Sequence, residues 1–195
     1  MKIAGWLITL LALVGMEAKE SRQAENQGDR VIGQFIRTQK KDPDFFVSSV
    51  GGGFWGNRVN NLKLGAGIRH ECNVEEAREY YVNMFLEFVN FVIHDEKIRP
   101  YLNHMPPSLD EISLSISFVQ NNLKSSGCGN VNYVLVGKGN ILSFCTDVPG
   151  RHSYQDLHQE QFLESIAIVQ QAGKLKGNYP WLEDWIAREK AEPSK

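Results

Sequence analysis

Several features that would indicate a definite chemistry are missing from the 195-residue sequence. It has only three cysteines, Cys72, Cys128 and Cys145, and no Cys-x-x-Cys pair, so neither a zinc ribbon nor a thioredoxin-type redox site is indicated. No Gly-Lys-Ser/Thr follows the glycine run at 51–53, which therefore is not a phosphate loop. The net charge of −2 gives no overall attraction to nucleic acid. The sequence predicts no cofactor and no bound metal.

Long hydrophobic runs are also scarce, and the exception lies at the N-terminus. After Lys2, the segment Ile3 to Met16 has no charged residue, which is the length and order of a signal peptide and too short for an ordinary membrane span. We expect residues 1–18 to be removed after Ala18, leaving no stable membrane span. An uncleaved anchor and a buried N-terminal helix are the alternatives. The signal predicts an exported protein, either periplasmic or secreted.

What is present resembles an ordinary globular domain. Hydrophobic residues make up 42% of the chain and charged residues 23%, enough apolar material for one packed core. We expect a polar leader and a short helix over 19–50, an α+β domain over 51–172, and an aromatic amphipathic tail over 173–195.

Hydrophobic periodicity predicts most of the secondary structure. Alternation indicates a strand over 59–68 and a second over 112–118. Asn73 and Glu76 form a capping-box pattern that begins a helix running to Ile98. A Gly-Lys-Gly-Asn turn predicts a hairpin between strands 133–136 and 141–146.

Helical spacing over 154–171 completes the predicted order β-α-β-β-β-α. Strands that follow one another without a helix favour an antiparallel sheet, so we expect an α+β fold with about four antiparallel strands and the long helix on one face. On the other face, the predicted strand 112–118 carries the polar residues Ser113, Ser115 and Ser117. The predicted strand 59–68 has no side chains there at Gly65 and Gly67.

The middle of the chain resembles a known kind of protein. The run Glu75-Glu76-Ala77-Arg78, a long aromatic helix, the run Ile98-Arg99-Pro100-Tyr101-Leu102, prolines and an alternating strand are similar to small uncharacterised secreted proteins of host-associated bacteria. The resemblance covers roughly residues 50 to 145. It implies secretion and an α+β fold, and it implies no activity.

Tryptophans are the candidate binding residues. Trp181 and Trp185 lie four residues apart and so share a helix face, while Trp55 follows a glycine-rich segment. Tryptophan is favoured in protein interfaces, so we predict these three side chains as contacts for a partner. The alternative is that Trp181 and Trp185 close the core.

A second candidate site groups Cys145, Asp147, His152 and His158. A thiol beside an imidazole could act as a nucleophile with its base, and the histidines with Asp147 could bind zinc. The competing interpretation is a buried cysteine or a disulfide, for which Cys128 and Cys145 are the possible pair.

The function predicted from the sequence is therefore an exported, non-catalytic binding protein. Its partner is expected to be a protein or a small ligand and not a nucleic acid. The alternative is a small exported thiol-dependent hydrolase that uses Cys145 and His152.

Overall fold

The computed structural model describes residues 22–120, 130–148, 150–151 and 153–191. Within them the chain forms four α-helices and six β-strands. The helices are α1 (22–39), α2 (Val74–His94), α3 (Phe162–Gln171) and α4 (Leu182–Ala191). The strands are β1 (Phe45–Trp55), β2 (Arg58–Ile68), β3 (Ile112–Phe118), β4 (Tyr133–Val136), β5 (Ile141–Asp147) and β6 (Tyr154–Gln161). The predicted α+β class is confirmed.

The six strands form one mixed sheet whose spatial order follows the chain, from β1 to β6. All neighbours are antiparallel except β2 and β3, which are parallel because the chain crosses over through α2 between them. The sheet therefore has six strands where about four were predicted, and one of its strand pairs is parallel where all were predicted to be antiparallel.

Both missed strands lie at the edges of the sheet, where sequence alternation is weak. The glycine-rich segment 48–56 has the composition of a flexible connector, but residues 48–55 belong to β1, which carries two register shifts against β2. Residues 154–161 were predicted as the start of a helix, but they form the polar edge strand β6, and the helix begins at Phe162. The element order is consequently α-β-β-α-β-β-β-β-α-α.

Helix α1 replaces most of the predicted polar leader. Residues 22–39 are helical, because Ala24, Val31, Ile32 and Phe35 repeat at helical spacing and are all buried. The Phe35 ring packs against Phe88 of α2 with 4.9 Å between ring centroids.

The long helix begins as predicted and ends four residues early. Glu76 N–H donates to the Asn73 side chain at 2.9 Å, and Asn73 N–H donates to the Glu76 carboxylate at 3.1 Å, which is the predicted capping box. At the other end the Asp95 carboxylate accepts from the backbone N–H of Lys97 and of Ile98. These two bonds turn the chain away from the helix beyond His94.

The core lies between the helices and one face of the sheet. Alternate residues of β2 and β3 point into it, in register from Leu62 with Ile112 to Ile68 with Phe118. Helix α2 covers them, and the buried Tyr81 donates its hydroxyl to the Leu114 carbonyl at 2.9 Å. In the described part of the chain, no helix is long and apolar enough to span a membrane.

Candidate functional site

The face of the sheet opposite the helices carries a row of side chains in register across all six strands. Side chains point to alternate faces along a strand, so residues paired across neighbouring strands share a face. The pairings place in one row Phe46, Gly67, Ser117, Tyr133, Cys145 and Asp156. Large rings therefore stand on either side of two very small residues.

The first wall is the Phe46 ring, which lies over Gly67. A Cβ atom at position 67 would meet the tip of this ring, so glycine there lets the Phe46 side chain approach the strand closely. The guanidinium of Arg69 lies 5.1 Å from the centre of the Phe46 ring and supports it.

The second wall is a pair of stacked tyrosines. The rings of Tyr133 on β4 and Tyr154 on β6 are 5.4 Å apart and inclined by only 17°. Tyr154 is 56% exposed, so part of its ring is open to a ligand.

Between the walls lies a cleft of about 330 Å³. Its lining residues are Phe46, Ser117, Phe118, Val119, Asn132, Asp147 and Tyr154. Asn132 donates its side-chain N–H to the Asp147 carboxylate at 3.1 Å, which orients that carboxylate at the end of the cleft. Aromatic walls with a few convergent polar groups are typical of small-ligand sites, and the volume lies at the small end of their range.

One carboxylate lines the cleft, and the Arg69 guanidinium lies outside that lining, against the Phe46 ring. Among the described residues that line it, Asp147 is acidic and none is Lys, Arg or His. The Asp147 carboxylate near the exposed Tyr154 ring favours a cationic ligand, because both the negative charge and the ring face attract cations.

Cys145 lies in the same row, but its surroundings do not make it a nucleophile. Its thiol donates to the Asp156 carboxylate at 3.4 Å. Burial, together with that carboxylate, raises the pKa of Cys145 to about 12, so the thiol stays protonated at neutral pH. Its partner in the thiol-enzyme hypothesis, His152, lies outside the described residues.

His158, the other histidine of the predicted Cys145 site, lies on the opposite face of the sheet from Cys145. His158 pairs with Phe144, the strand neighbour of Cys145, and so points to the helix-covered face. There its Nε2 lies 2.8 Å from the Glu160 carboxylate. The described structure therefore does not gather Cys145, Asp147 and His158 around a common point.

The three predicted tryptophans have different environments. Trp185 is only 1% exposed and donates its indole N–H to the Pro107 carbonyl at 2.8 Å, so it belongs to the core. Trp181 is half-buried and donates to the Asn90 side chain at 3.1 Å. Trp55, at the tip of the β1–β2 hairpin, is 80% exposed and remains available to a partner.

The cysteine pairing predicted from the sequence stays a prediction. Cys72 and Cys145 are both free and buried. Cys128 lies outside the described residues.

The sequence alone does not predict the cleft, although it contains two features of that face. The serines of β3 and the two glycines of β2 were recognised as a polar and bare face. The aromatic walls were missed, because β1 and β6 were not predicted as strands and Phe46 and Tyr154 could not be placed on that face.

Comparison of the chain with protein-family models, with curated proteins and with solved structures found no match of any of the three kinds. The resemblance to secreted proteins of host-associated bacteria stays a prediction.

Proposed function

We propose that this chain is an exported, non-catalytic binding protein whose ligand occupies the cleft between Phe46 and Tyr154. The ligand class that fits best is a small molecule with an ammonium group and an apolar body. The observation that carries the proposal is that the Phe46 ring, the exposed Tyr154 ring and a single carboxylate, Asp147, line one cleft together with the small residue Ser117.

The residues have distinct roles in this proposal. The ammonium group lies against the Asp147 carboxylate, which Asn132 holds in place. The apolar body lies over Ser117, between the Phe46 ring and the Tyr154 ring, where it displaces water from both ring faces.

The non-catalytic part of the proposal is supported by the state of Cys145. A thiol-dependent hydrolase needs a thiolate, and the Asp156 carboxylate beside the Cys145 sulfur disfavours a second negative charge. This environment favours the binding function over the thiol-hydrolase alternative.

A matched set of three ligands tests the ligand class: phenethylamine, phenethyl alcohol and phenylacetate, titrated calorimetrically into the purified protein. We expect the amine to bind most tightly and the anion least. Tyr154→Ala should weaken the amine about fivefold, because a cation over a ring contributes about 1 kcal/mol. Asp147→Asn keeps an acceptor for Asn132 and should abolish the preference for the amine over the alcohol.

Two control variants separate this site from general effects. Leu157→Ala changes another exposed residue of β6, and Asp184→Asn removes a carboxylate from α4; both should leave affinity unchanged. Equal affinity for the three ligands, or an unchanged preference in Asp147→Asn, would contradict the proposed ligand class.

A further inference from the structure

A second group of side chains, separate from the cleft lining, has the composition of a metal site. His70, Cys72 and Glu76 each offer one ligand atom, and these nitrogen, sulfur and oxygen atoms all lie within 4.8 Å of one another. We propose that these three residues bind a zinc ion. This inference goes beyond the proposed function and does not depend on it.

Local chain geometry brings the three residues together. His70 and Cys72 lie in the short connection between β2 and α2, which bends at Arg69 and His70 before Cys72 bridges to Val131. Glu76 lies one turn into α2, and its carboxylate bends back toward the loop because it accepts from the Asn73 N–H in the capping box.

Each candidate ligand is also held by a contact that does not involve the other two. The backbone of Cys72 pairs with Val131, whose N–H donates to the Cys72 carbonyl at 2.9 Å. The His70 ring packs against the Tyr80 ring, with centroids 6.2 Å apart. Outer contacts of this kind orient metal ligands and reduce the entropy lost on binding.

The chemistry of the donors favours zinc over a hard cation. A sulfur, an imidazole nitrogen and a carboxylate oxygen are the three ligand types of protein zinc sites, whereas magnesium and calcium prefer oxygen alone. A thiolate and a carboxylate together balance the charge of the ion.

The distances are compatible with tetrahedral coordination after small side-chain rotations. Bonds of 2.0–2.3 Å at tetrahedral angles place ligand atoms roughly 3.3–3.8 Å apart. His70 and Glu76 are exposed and can rotate toward the buried Cys72. Because only three protein ligands are present in the described cluster, a water molecule completes the shell.

Cobalt(II) is the probe that tests this site, because a cobalt–thiolate bond gives a charge-transfer absorption in the near ultraviolet. The purified full chain, kept under a non-thiol reductant, is titrated with cobalt and then with zinc. We expect saturation at one cobalt per chain, with the thiolate band present, and displacement of that band by zinc.

Single substitutions test which residues bind the cobalt that gives the thiolate absorption band. Cys72→Ser should abolish it, while Cys145→Ser, which alters the other buried free cysteine, should retain it. Glu76→Gln preserves the capping box, because glutamine also satisfies it, and should weaken cobalt binding about tenfold or more. His70→Ala changes an exposed position and should weaken binding similarly without affecting the fold.

Three outcomes would overturn the proposal: no thiolate band at saturating cobalt, a band that persists in Cys72→Ser, or unchanged affinity in both Glu76→Gln and His70→Ala. A disulfide between Cys72 and another cysteine in the unreduced exported protein would also overturn it, since the sulfur could not then bind metal. None of these outcomes bears on ligand binding in the cleft, so the two proposals fail separately.

Discussion

At the scale of single residues, one carboxylate, that of Glu160, joins three elements of the fold. Arg78 of α2 donates to both oxygens of Glu160 in β6, at 2.6 and 2.8 Å, and Ser165 of α3 donates to one of them at 2.6 Å. The Arg78 and Glu160 side chains are only 11% and 9% exposed. This cluster fastens the edge strand β6, and with it Tyr154, to the helices.

Removal of the Glu160 charge should destabilise the fold markedly. Burial alone would raise the pKa of Glu160, but the hydrogen bonds from Arg78, Ser165 and His158 outweigh burial and hold that pKa below its usual value. Glu160→Gln leaves Arg78 buried without its counter-charge, and we expect a loss of about 3 kcal/mol in the free energy of unfolding. Urea denaturation measures it, with the exposed Glu164→Gln as the control.

The same cluster predicts the direction of a pH effect. Because the pKa of Glu160 is lower in the folded state than in the unfolded state, its stabilisation is complete above the unfolded value of about 4 and is lost as the pH falls through the folded value. The free energy of unfolding of the wild type should therefore fall below about pH 4 more steeply than that of Glu160→Gln. Parallel curves would contradict this account of the pair.

Cysteine reactivity is a second test at the residue scale. Burial and the nearby Glu76 carboxylate raise the pKa of Cys72 to about 12. Burial and the Asp156 carboxylate raise the pKa of Cys145 to about 12 as well. We expect both thiols of the metal-free native protein to react with iodoacetamide at neutral pH about a thousandfold more slowly than in the urea-unfolded chain. Peptide mapping by mass spectrometry measures each site. Rapid labelling of native Cys145 would return the thiol-enzyme alternative to consideration.

At the scale of elements, helix α4 fastens the segment that leads into β3. The Trp185 indole donates to the Pro107 carbonyl, and the Glu189 carboxylate accepts from the Leu109 N–H at 3.2 Å. The predicted aromatic tail is thus part of the core, because its apolar residues cover α2 and this segment. The Trp185 ring packs against Phe85 of α2, with ring centroids 6.0 Å apart.

Truncation of Trp185 and of Trp55 should distinguish a core tryptophan from a surface one. We expect Trp185→Ala to lower the free energy of unfolding by about 4 kcal/mol, because it leaves a large cavity and an unpaired carbonyl. Trp55→Ala should change it by less than about 0.5 kcal/mol, since the ring is exposed. Urea denaturation of both variants measures the two free energies of unfolding. Equal stabilities would remove Trp185 from the core.

One wall of the cleft, the Phe46 ring, lies over a strand position where glycine leaves room for it. Gly67→Ala forces the half-buried Phe46 ring away from β2, and we expect weaker ligand binding in the cleft with a change in the free energy of unfolding of less than about 1 kcal/mol. Gly51→Ala in β1 is the matched control, because an added methyl group there meets nothing within 4 Å. Thermal unfolding and ligand titration of both variants measure the effect. If Gly67→Ala binds as the wild type does, the Phe46 wall is not part of the site.

How far the sequence predicts these elements depends on their position in the sheet. The alternation of β3 gave its bounds, Ile112–Phe118, and the capping residues gave the start of α2 at Val74. The edge strands were missed because β1 contains three consecutive glycines and β6 is polar on both faces. The cleft walls stand on those two strands, so the site could not be predicted without them.

At the scale of the whole molecule, export is a proposal that a mass measurement tests. If residues 1–18 form a cleaved signal, the protein recovered from the secreted or periplasmic fraction should lack about 18 residues. Intact mass spectrometry before and after reduction and alkylation also reports whether Cys128 and Cys145 are joined. A full-length mass would contradict cleavage and favour the uncleaved anchor.

The whole-molecule arrangement explains why binding is the function we propose. All four described helices pack toward one face of the sheet, so the opposite face, with its aromatic cleft, is left to interact with a ligand. The most direct test is to follow backbone amide resonances by NMR during a phenethylamine titration. We predict saturable shifts centred on Ser117, Asn132, Asp147 and Tyr154, with none at the Trp55 hairpin. Shifts centred elsewhere, or no saturation, would contradict the assignment of the cleft as the ligand site.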